Sequence, residues 1–239
     1  MLYKTVFKRY ELKYLLTTGQ KEIILKAMRP YMSLDSYGIT TIRNVYFDTD
    51  NYRLIRRSIE KPSYKEKIRI RSYATATDES DVFVELKKKV NSVVYKRRVP
   101  IKEAEAMKWL YTGKYPGNST QISDEIDYFI NFYGKLRPTV FLSYEREAYY
   151  TNEESDFRIT FDENILCRKT ELSLKSLPGG TRILEEGKVM MEIKCSGGIP
   201  LWLTEVLSKE KIFKTSFSKY GTAYQTIIFP ELKEEKINA

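Results

Sequence analysis

The stretch Tyr64-Lys65-Glu66-Lys67-Ile68-Arg69-Ile70-Arg71-Ser72-Tyr73 sets four cations, Lys65, Lys67, Arg69 and Arg71, at every second position. On a β-strand these four share one face, while Ile68 and Ile70 share the other. Three Glu-x-Lys triplets repeat the device elsewhere: Glu11 with Lys13, Glu85 with Lys87, and Glu192 with Lys194. Each presents a carboxylate beside an ammonium on one strand face. Lys96 with Arg98, Arg146, and Arg158 with Asp162 sit in the same kind of position, so seven expected strands each carry a charged face opposite an apolar one. A single triplet is as well explained by an exposed ion pair worth about 0–1 kcal/mol. The recurrence over seven strands is what points to a site.

Two features favour charges gathered inside a closed antiparallel β-barrel of about eight strands. Many antiparallel strands with short links can close and remove their edges. The intervening helices each have one apolar stripe, which the apolar outer side of a barrel would accept. The expected class is therefore α+β, with helices packed outside. Like charges about 4 Å apart repel by about 4 kcal/mol even at an effective dielectric of ~20. A cationic interior must then be wet and matched to a polyanion. A phosphate chain fits, since each phosphate can take bidentate bonds from arginine. The minority carboxylates suit a hard divalent cation such as Mg²⁺ or Mn²⁺, completed by substrate phosphates.

Composition narrows the chemistry further. The chain of 239 residues has a formal charge of +9, 42% hydrophobic residues and nineteen tyrosines, a globular and basic composition suited to an anionic partner. It has no histidine, which removes Ser–His and Cys–His nucleophilic catalysis and imidazole metal sites. Cys167 and Cys195 lack paired ligand spacing, so neither a zinc site nor a disulfide framework is expected. No signal-like or membrane-spanning apolar run is visible, and the expectation is a cytoplasmic protein. A single domain over 1–239 is expected, with its core at about 5–228 and a charged, frayed tail at 229–239.

The elements that must position these residues follow in order. Strands are expected over Phe7–Leu15, Thr40–Thr49, Tyr64–Tyr73, Val82–Val90, Val93–Ile101, Thr139–Tyr150, Asp156–Glu163 and Val189–Cys195. Asn91-Ser92 reads as the turn of a hairpin. Helices are expected over Lys21–Met28, with Ile23, Ile24 and Ala27 as the apolar stripe, and over Lys102–Tyr111 and Ser123–Tyr133. Another opens at Pro200–Leu207, and Phe213–Ile228 is helical or mixed. Asp50–Arg57 reads as a short helix or turn.

An ordered set of short motifs resembles the VTC domain, the polyphosphate polymerase domain of the triphosphate tunnel superfamily. They are Phe7-Lys8-Arg9-Tyr10-Glu11-Leu12-Lys13-Tyr14, Val45-Tyr46-Phe47-Asp48-Thr49, Lys67-Ile68-Arg69-Ile70-Arg71, Val84-Glu85-Leu86-Lys87, Tyr144-Glu145-Arg146, Met191-Glu192-Ile193-Lys194 and Phe217-Ser218-Lys219-Tyr220-Gly221. The resemblance implies a barrel tunnel that binds triphosphate and makes polyphosphate from ATP with Mn²⁺ or Mg²⁺. It implies catalytic roles for Arg69, Arg71, Lys87, Arg146 and Lys219. Arg9, Lys13, Lys67, Lys96, Arg98, Arg158, Lys194, Ser218 and Tyr220 would bind substrate, with residues 218–220 on a C-terminal segment that closes the tunnel. Glu192 is the main metal ligand it implies, and the second is left among Glu11, Glu85 and Asp162. The wider superfamily opens with Glu-x-Glu-x-Lys, whereas this chain has Arg9-x-Glu11-x-Lys13, which weakens metal coordination and strengthens chain binding.

Phosphoryl transfer asks for positioning and charge neutralisation more than covalent help, which suits a chain without histidine. The leading expectation is a polymerase using ATP and polyphosphate. A tripolyphosphatase or nucleoside triphosphatase of the same fold, and a non-catalytic binder of polyphosphate or inositol polyphosphate, are the alternatives. Nucleic acid is not the expected partner, because the cations alternate on strands instead of forming a basic loop or helix. Export of a polymer across a membrane would need a partner protein not visible in the chain.

Overall fold

The computed structural model describes residues 6–91, 93–152 and 156–237, and the side chains of 10–234 among them. The alternating segments form the long strands β1 Val6–Thr17, β3 Thr40–Asp48, β4 Tyr64–Ser72, β5 Asp81–Val90, β6 Val93–Lys102, β7 Arg137–Thr151, β8 Arg158–Arg168 and β10 Lys188–Cys195. Three short strands that alternation does not announce join them: β2 Met32–Leu34, β9 Thr181–Arg182 and β11 Lys214–Thr215. Two or three residues are too few to show a period.

Where a closed barrel of about eight strands is expected, the strands form one eleven-stranded antiparallel sheet. Its order is β2-β7-β3-β4-β5-β6-β1-β10-β8-β9, with β11 against β1 and a further pairing between β7 and β8. Strand β7, fifteen residues long, takes β3 and then β2 along one edge and β8 along the other. Register shifts at Tyr46/Phe47 and at Ser143/Glu145 bend these long strands.

The helices are α1 Thr18–Met28, α2 Arg53–Ile59, α3 Glu103–Thr112, α4 Gln121–Tyr133, α5 Leu201–Lys209, α6 Lys219–Ala223 and α7 Phe229–Ile237. A π-helical turn, Tyr224–Ile228, lies between the last two. The tail expected to fray is therefore helical to Ile237. Helix α1 begins with a capping box between Thr17 and Gln20, and α4 with one between Thr120 and Ser123, three residues before its expected cap. Gly113 ends α3 at a left-handed φ of 68°, and a Cβ there would lie 2.9 Å from Asn131 Oδ1. The stripe of α1 differs from the expected one: Ile24 is buried with Lys21 and Met28, while Ile23 is exposed. Lys21 can be buried because its ammonium reaches Glu147 (2.8 Å) and Glu163 (2.5 Å) on β7 and β8.

One apolar cluster joins the outward side chains of β3, β4 and β5, such as Val45, Ile68, Ile70, Val84 and Leu86, to Trp109 of α3 and Ile126, Phe129 and Ile130 of α4. A second joins Leu16, Ile159, Phe161, Met191 and Ile193 to Ile24 of α1 and Leu203 and Leu207 of α5. Helices α1, α3, α4 and α5 thus cover one side of the sheet, while Ile55 of α2 and Tyr220 and Ala223 of α6 join a third cluster with Ile42, Tyr46, Leu142 and Tyr144. Among the described residues no helix is long and apolar enough to cross a membrane.

Trp109 is fully buried at the centre of the first cluster, with its indole N–H donated to Asp127. Trp109→Ala is expected to cost about 3–5 kcal/mol. Urea unfolding checks this, and a loss under about 1 kcal/mol would contradict the packing of α3 and α4 against the sheet.

Candidate functional site

Register explains why the charged side chains meet. Arg69 of β4 lies opposite Tyr46 of β3 and Glu85 of β5, and Arg71 lies opposite Asn44. Glu85 faces Arg98 of β6, and Lys87 faces both Lys67 and Lys96. On β1, Glu11 and Lys13 oppose Lys194 and Glu192 of β10, which oppose Arg158 and Thr160 of β8. Asp162 then opposes Arg146 of β7, and Tyr144 of β7 opposes Ile42 of β3. Cross-strand partners project from the same face, so eight strands direct these groups to the side away from the helices of the two apolar clusters.

That face carries Lys13, Lys67, Arg69, Arg71, Lys87, Lys96, Arg98, Arg146, Arg158 and Lys194 against Glu11, Glu85, Asp162 and Glu192. Two carboxylates act as hubs. Glu85 accepts from Arg69 Nε (2.9 Å) and Nη2 (2.7 Å) and from Lys96 Nζ (2.9 Å), with Arg71 Nε 3.7 Å away. Asp162 takes a bidentate pair from Arg146 (2.6 and 2.7 Å) and the ammonium of Lys219 (2.5 Å). Neutral groups complete the arginine forks: Tyr46 OH accepts from Arg69 (2.7 Å), while Asn44 Oδ1 and Tyr144 OH accept from Arg71 (3.0 Å each). Lys87 donates to Glu11 at 2.5 Å. The Glu-x-Lys spacing therefore does not describe the pairing. Glu85 draws partners from the neighbouring β4 and β6, Glu11 draws Lys87 from β5 across the intervening β6, and Glu192 has its own triplet lysine near, with Lys194 at 3.6 Å.

The electrostatics follow from burial and crowding. Burial would raise the Glu85 carboxyl, but Arg71, Lys96 and Arg69 outweigh it and hold its pKa well below the usual range. Asp162 is lowered in the same way, burial being overcome by Arg146 and Lys219. Burial, with Lys13 and Lys87 nearby, pushes the Lys67 ammonium well down. Burial lowers Lys194 strongly despite Glu192, and brings Lys96 to about 8. The Tyr144 hydroxyl also falls to about 8, because Arg71, Arg146 and Lys219 overcome its burial. Burial is the main cause for the lowered lysines, whereas carboxylates of the wall help to raise Arg69, Lys87 and Arg146 against their own burial.

The C-terminal segment reaches onto this wall. Lys13 donates to the carbonyl of Phe217 and Lys67 to Ser218 Oγ, both at 2.7 Å. Ser218 Oγ also caps α6 by accepting from Gly221 N–H at 3.1 Å, and a Cβ on residue 221 would meet Ser218 at 3.1 Å. Lys219 extends to Asp162 and lies 4.3 Å from the Tyr144 ring centroid. Tyr220, expected at the substrate, is fully buried and donates to Asp48 Oδ2 at 3.0 Å. It anchors the segment; its ring lies 5.9 Å below the Lys67 ammonium. The backbone of Arg9 pairs with Val94, while its side chain lies outside the described ones.

Sequence reasoning gave no role to Asn44, Tyr46, Tyr144 and Thr160, the last fully buried with an unpartnered hydroxyl beside Glu192 in register. Tyr144 shares the alternation of Arg146, which is the signal that could have found it. Among the described residues no three of the metal-binding side-chain types come together as a ready-made site. Glu85, Asp162 and Glu11 are already committed to cations. Glu192 has only longer contacts, to Lys194 and, at 3.9 Å, to Arg146. Its donor set fits a divalent ion completed by phosphate oxygens and water, not one caged by protein alone.

The VTC domain family model matches residues 8–228. No curated protein matches the chain. Among solved structures, one from Bacillus halodurans described as a candidate adenylate cyclase is similar at a TM-score of 0.54 and 16% identity, covering 90% of this chain and 96% of its own. A Hippeastrum protein, described as a candidate adenylyl cyclase with a dominant triphosphatase activity, is similar at a TM-score of 0.53 and 16% identity, covering 91% and 95%. At that identity these likenesses concern the fold.

Glu85→Gln leaves Arg69, Arg71 and Lys96 without their shared anion, and is expected to cost about 3–5 kcal/mol, recovered in part by added tripolyphosphate. Thermal unfolding with and without tripolyphosphate checks both; a variant as stable as wild type would contradict the hub. Lys96 and Tyr144 titrate near 8 when folded and at 10.5 and 10.0 in their ordinary state. Between those values the unfolded chain holds more protons, so both groups make the ligand-free protein more stable as pH rises from 8 to 10. Lys96→Met should reduce that rise, as unfolding midpoints across this range would show.

Proposed function

The chain belongs to the VTC domain family, and we propose that it is an ATP-dependent polyphosphate polymerase. The observation that carries this reading is the single strand face on which, among the described side chains, cations outnumber carboxylates by more than two to one. Such a wall suits a linear polyanion, because successive phosphates can replace the missing counter-charge along its length. Arg69, Arg71 and Arg146 are oriented by Glu85, Asn44, Tyr144 and Asp162 before any ligand arrives. Preorganisation of this kind favours charge building up on a transferring phosphoryl group.

In this reading Arg69, Arg71, Lys87 and Arg146 hold the phosphates of ATP, and Lys219 approaches from the C-terminal segment. Lys13, Lys67, Lys96, Arg98, Arg158 and Lys194 extend the track for a chain. An oxygen of the chain's terminal phosphate attacks the γ-phosphorus, the bond from that phosphorus to the β,γ-bridging oxygen breaks, and ADP leaves with that oxygen. Mg²⁺ or Mn²⁺ would be held by Glu192, with Glu11 and Asp162 each one diagonal step away in register, and would neutralise charge on the phosphates. The acceptor is already an anion, so the step needs no general base.

This last point supports transfer to a phosphate chain over hydrolysis. A water nucleophile must lose a proton, and Glu85, Asp162 and Glu192 are all held well below the usual carboxylate range, which makes them weak bases. A triphosphatase remains the second reading, because the Hippeastrum protein of similar fold is described as having that activity.

Incubation with ATP and Mn²⁺ followed by product sizing tests the proposal. Long polymer and ADP are expected; free phosphate alone would replace the polymerase by a triphosphatase, and no turnover would leave a binding protein. Arg69→Ala with Arg71→Ala should abolish polymer formation. Lys219→Ala should reduce it by at least tenfold in a protein whose unfolding is cooperative.

A further inference from the structure

The two ends of the charged wall differ in kind. At one end Lys13 and Lys67 are bonded to the segment Phe217–Ser218, and Tyr220, Tyr224 and Ile228 pack there with Tyr46 and Met190. At the other end the file Arg69, Arg71 is followed, at the same step of two, by Tyr73 just beyond β4. Tyr73 meets Phe83 edge-on at 5.7 Å between centroids, and Phe83 lies opposite Arg71 in register. The Arg98 guanidinium sits 3.4 Å from the Phe83 centroid and 6.0 Å from that of Tyr73. Phe83 is buried, while Tyr73 remains 42% exposed. The phosphate track therefore meets an exposed aromatic ring beyond Arg71, whereas beside Lys13 and Lys67 it meets the C-terminal segment.

We propose that Tyr73, supported by Phe83 and Arg98, is the stacking platform for the base of the nucleoside triphosphate donor. The proposal rests on the phosphate-binding reading of the wall given above. Distances agree with it. Lys67 to Arg71 spans four residues, about 13 Å of strand, enough for an extended triphosphate, and Tyr73 lies one further step of about 7 Å beyond. The triphosphate then enters γ-end first, toward Lys219, with its base left at the mouth. A ring that stacks without reading base edges gives affinity with little base preference, because every base has a π-face. The donor class is therefore nucleoside triphosphates in general, with the base contributing to binding and not to the transferred group.

The test compares ATP with tripolyphosphate, which has the phosphates and no base, binding each by calorimetry without divalent metal so that no turnover intervenes. Tyr73→Ala should weaken ATP about tenfold and leave tripolyphosphate within about twofold of wild type. Tyr73→Phe should keep both affinities, and Tyr73→Leu, which retains the apolar contact with Phe83, should behave like the alanine variant. GTP and CTP should bind wild type within about threefold of ATP. Equal weakening of both ligands, or no weakening of ATP, overturns the platform. Wild-type protein that binds neither ligand overturns the phosphate reading and the platform with it. Selective loss of ATP binding in a protein that makes no polymer would sustain the platform and remove the polymerase.

Discussion

The structure depends on a surplus of positive charge held on one face of a continuous sheet. Neighbouring cations repel by several kcal/mol per close pair even when partly screened, so they stay close only if the backbone gives them no alternative. Pairing along eight long strands supplies that constraint, and the apolar clusters on the opposite side anchor it. Glu85 gathers Arg69, Arg71 and Lys96, and Asp162 gathers Arg146 and Lys219, each group built around one fully buried carboxylate. Taken singly, buried ion pairs are a poor source of stability. Here they set the direction of guanidinium groups, and the free energy that maintains them comes from the outer clusters.

The same grouping explains how the C-terminal segment is held. Asp48, at the end of β3, accepts N–H bonds from Thr49, Leu54 and Ile55 and so caps α2. Its second oxygen also receives the Tyr220 hydroxyl, tying α6 to the same point. Burial raises the Asp48 carboxyl above its ordinary range, although these four donors oppose that shift. A carboxylate used entirely for positioning thus lies beside a wall whose other carboxylates face cations. Lys219 is aimed at Asp162 because its neighbour Tyr220 is fixed in this way.

Much of this was legible in the sequence. The eight long strands were readable, and on seven of them so was the phase, because period-two alternation sorts charged from apolar side chains. On β3 it does not, since the face that meets Arg69 and Arg71 is formed by the neutral Asn44 and Tyr46. The site's composition followed, since Arg69, Arg71, Glu85, Lys96, Arg146 and Asp162 all fall on the charged phase. Their pairing did not follow. Which cation meets which carboxylate depends on cross-strand register, so Lys87 takes Glu11, seventy-six positions away, and not Glu85 two positions away. Lys21 is buried because Glu147 and Glu163 wait for it on distant strands, and nothing local to α1 marks that. The charged tail reads as solvated, yet it continues the helical path begun at Lys219, where Gly221 and the Ser218 cap set the start. Tyr220 was legible as part of a motif but not as an anchor, because its partner Asp48 lies in another motif.

Strand β1 takes its neighbours from far along the chain: β6 at 93–102, β10 at 188–195 and β11 at 214–215. Residues 6–9 pair with β6, but residues 10–17 pair with β10, which ends at Cys195. During synthesis, β1 must wait until β10 has been made, with an unpaired edge in the interval. Contacts of such long sequence separation close slowly, and the exposed edge is a route to association with other chains. The protein's vulnerability therefore lies in its birth more than in its finished state: its yield in a cell should depend on chaperone supply and translation rate.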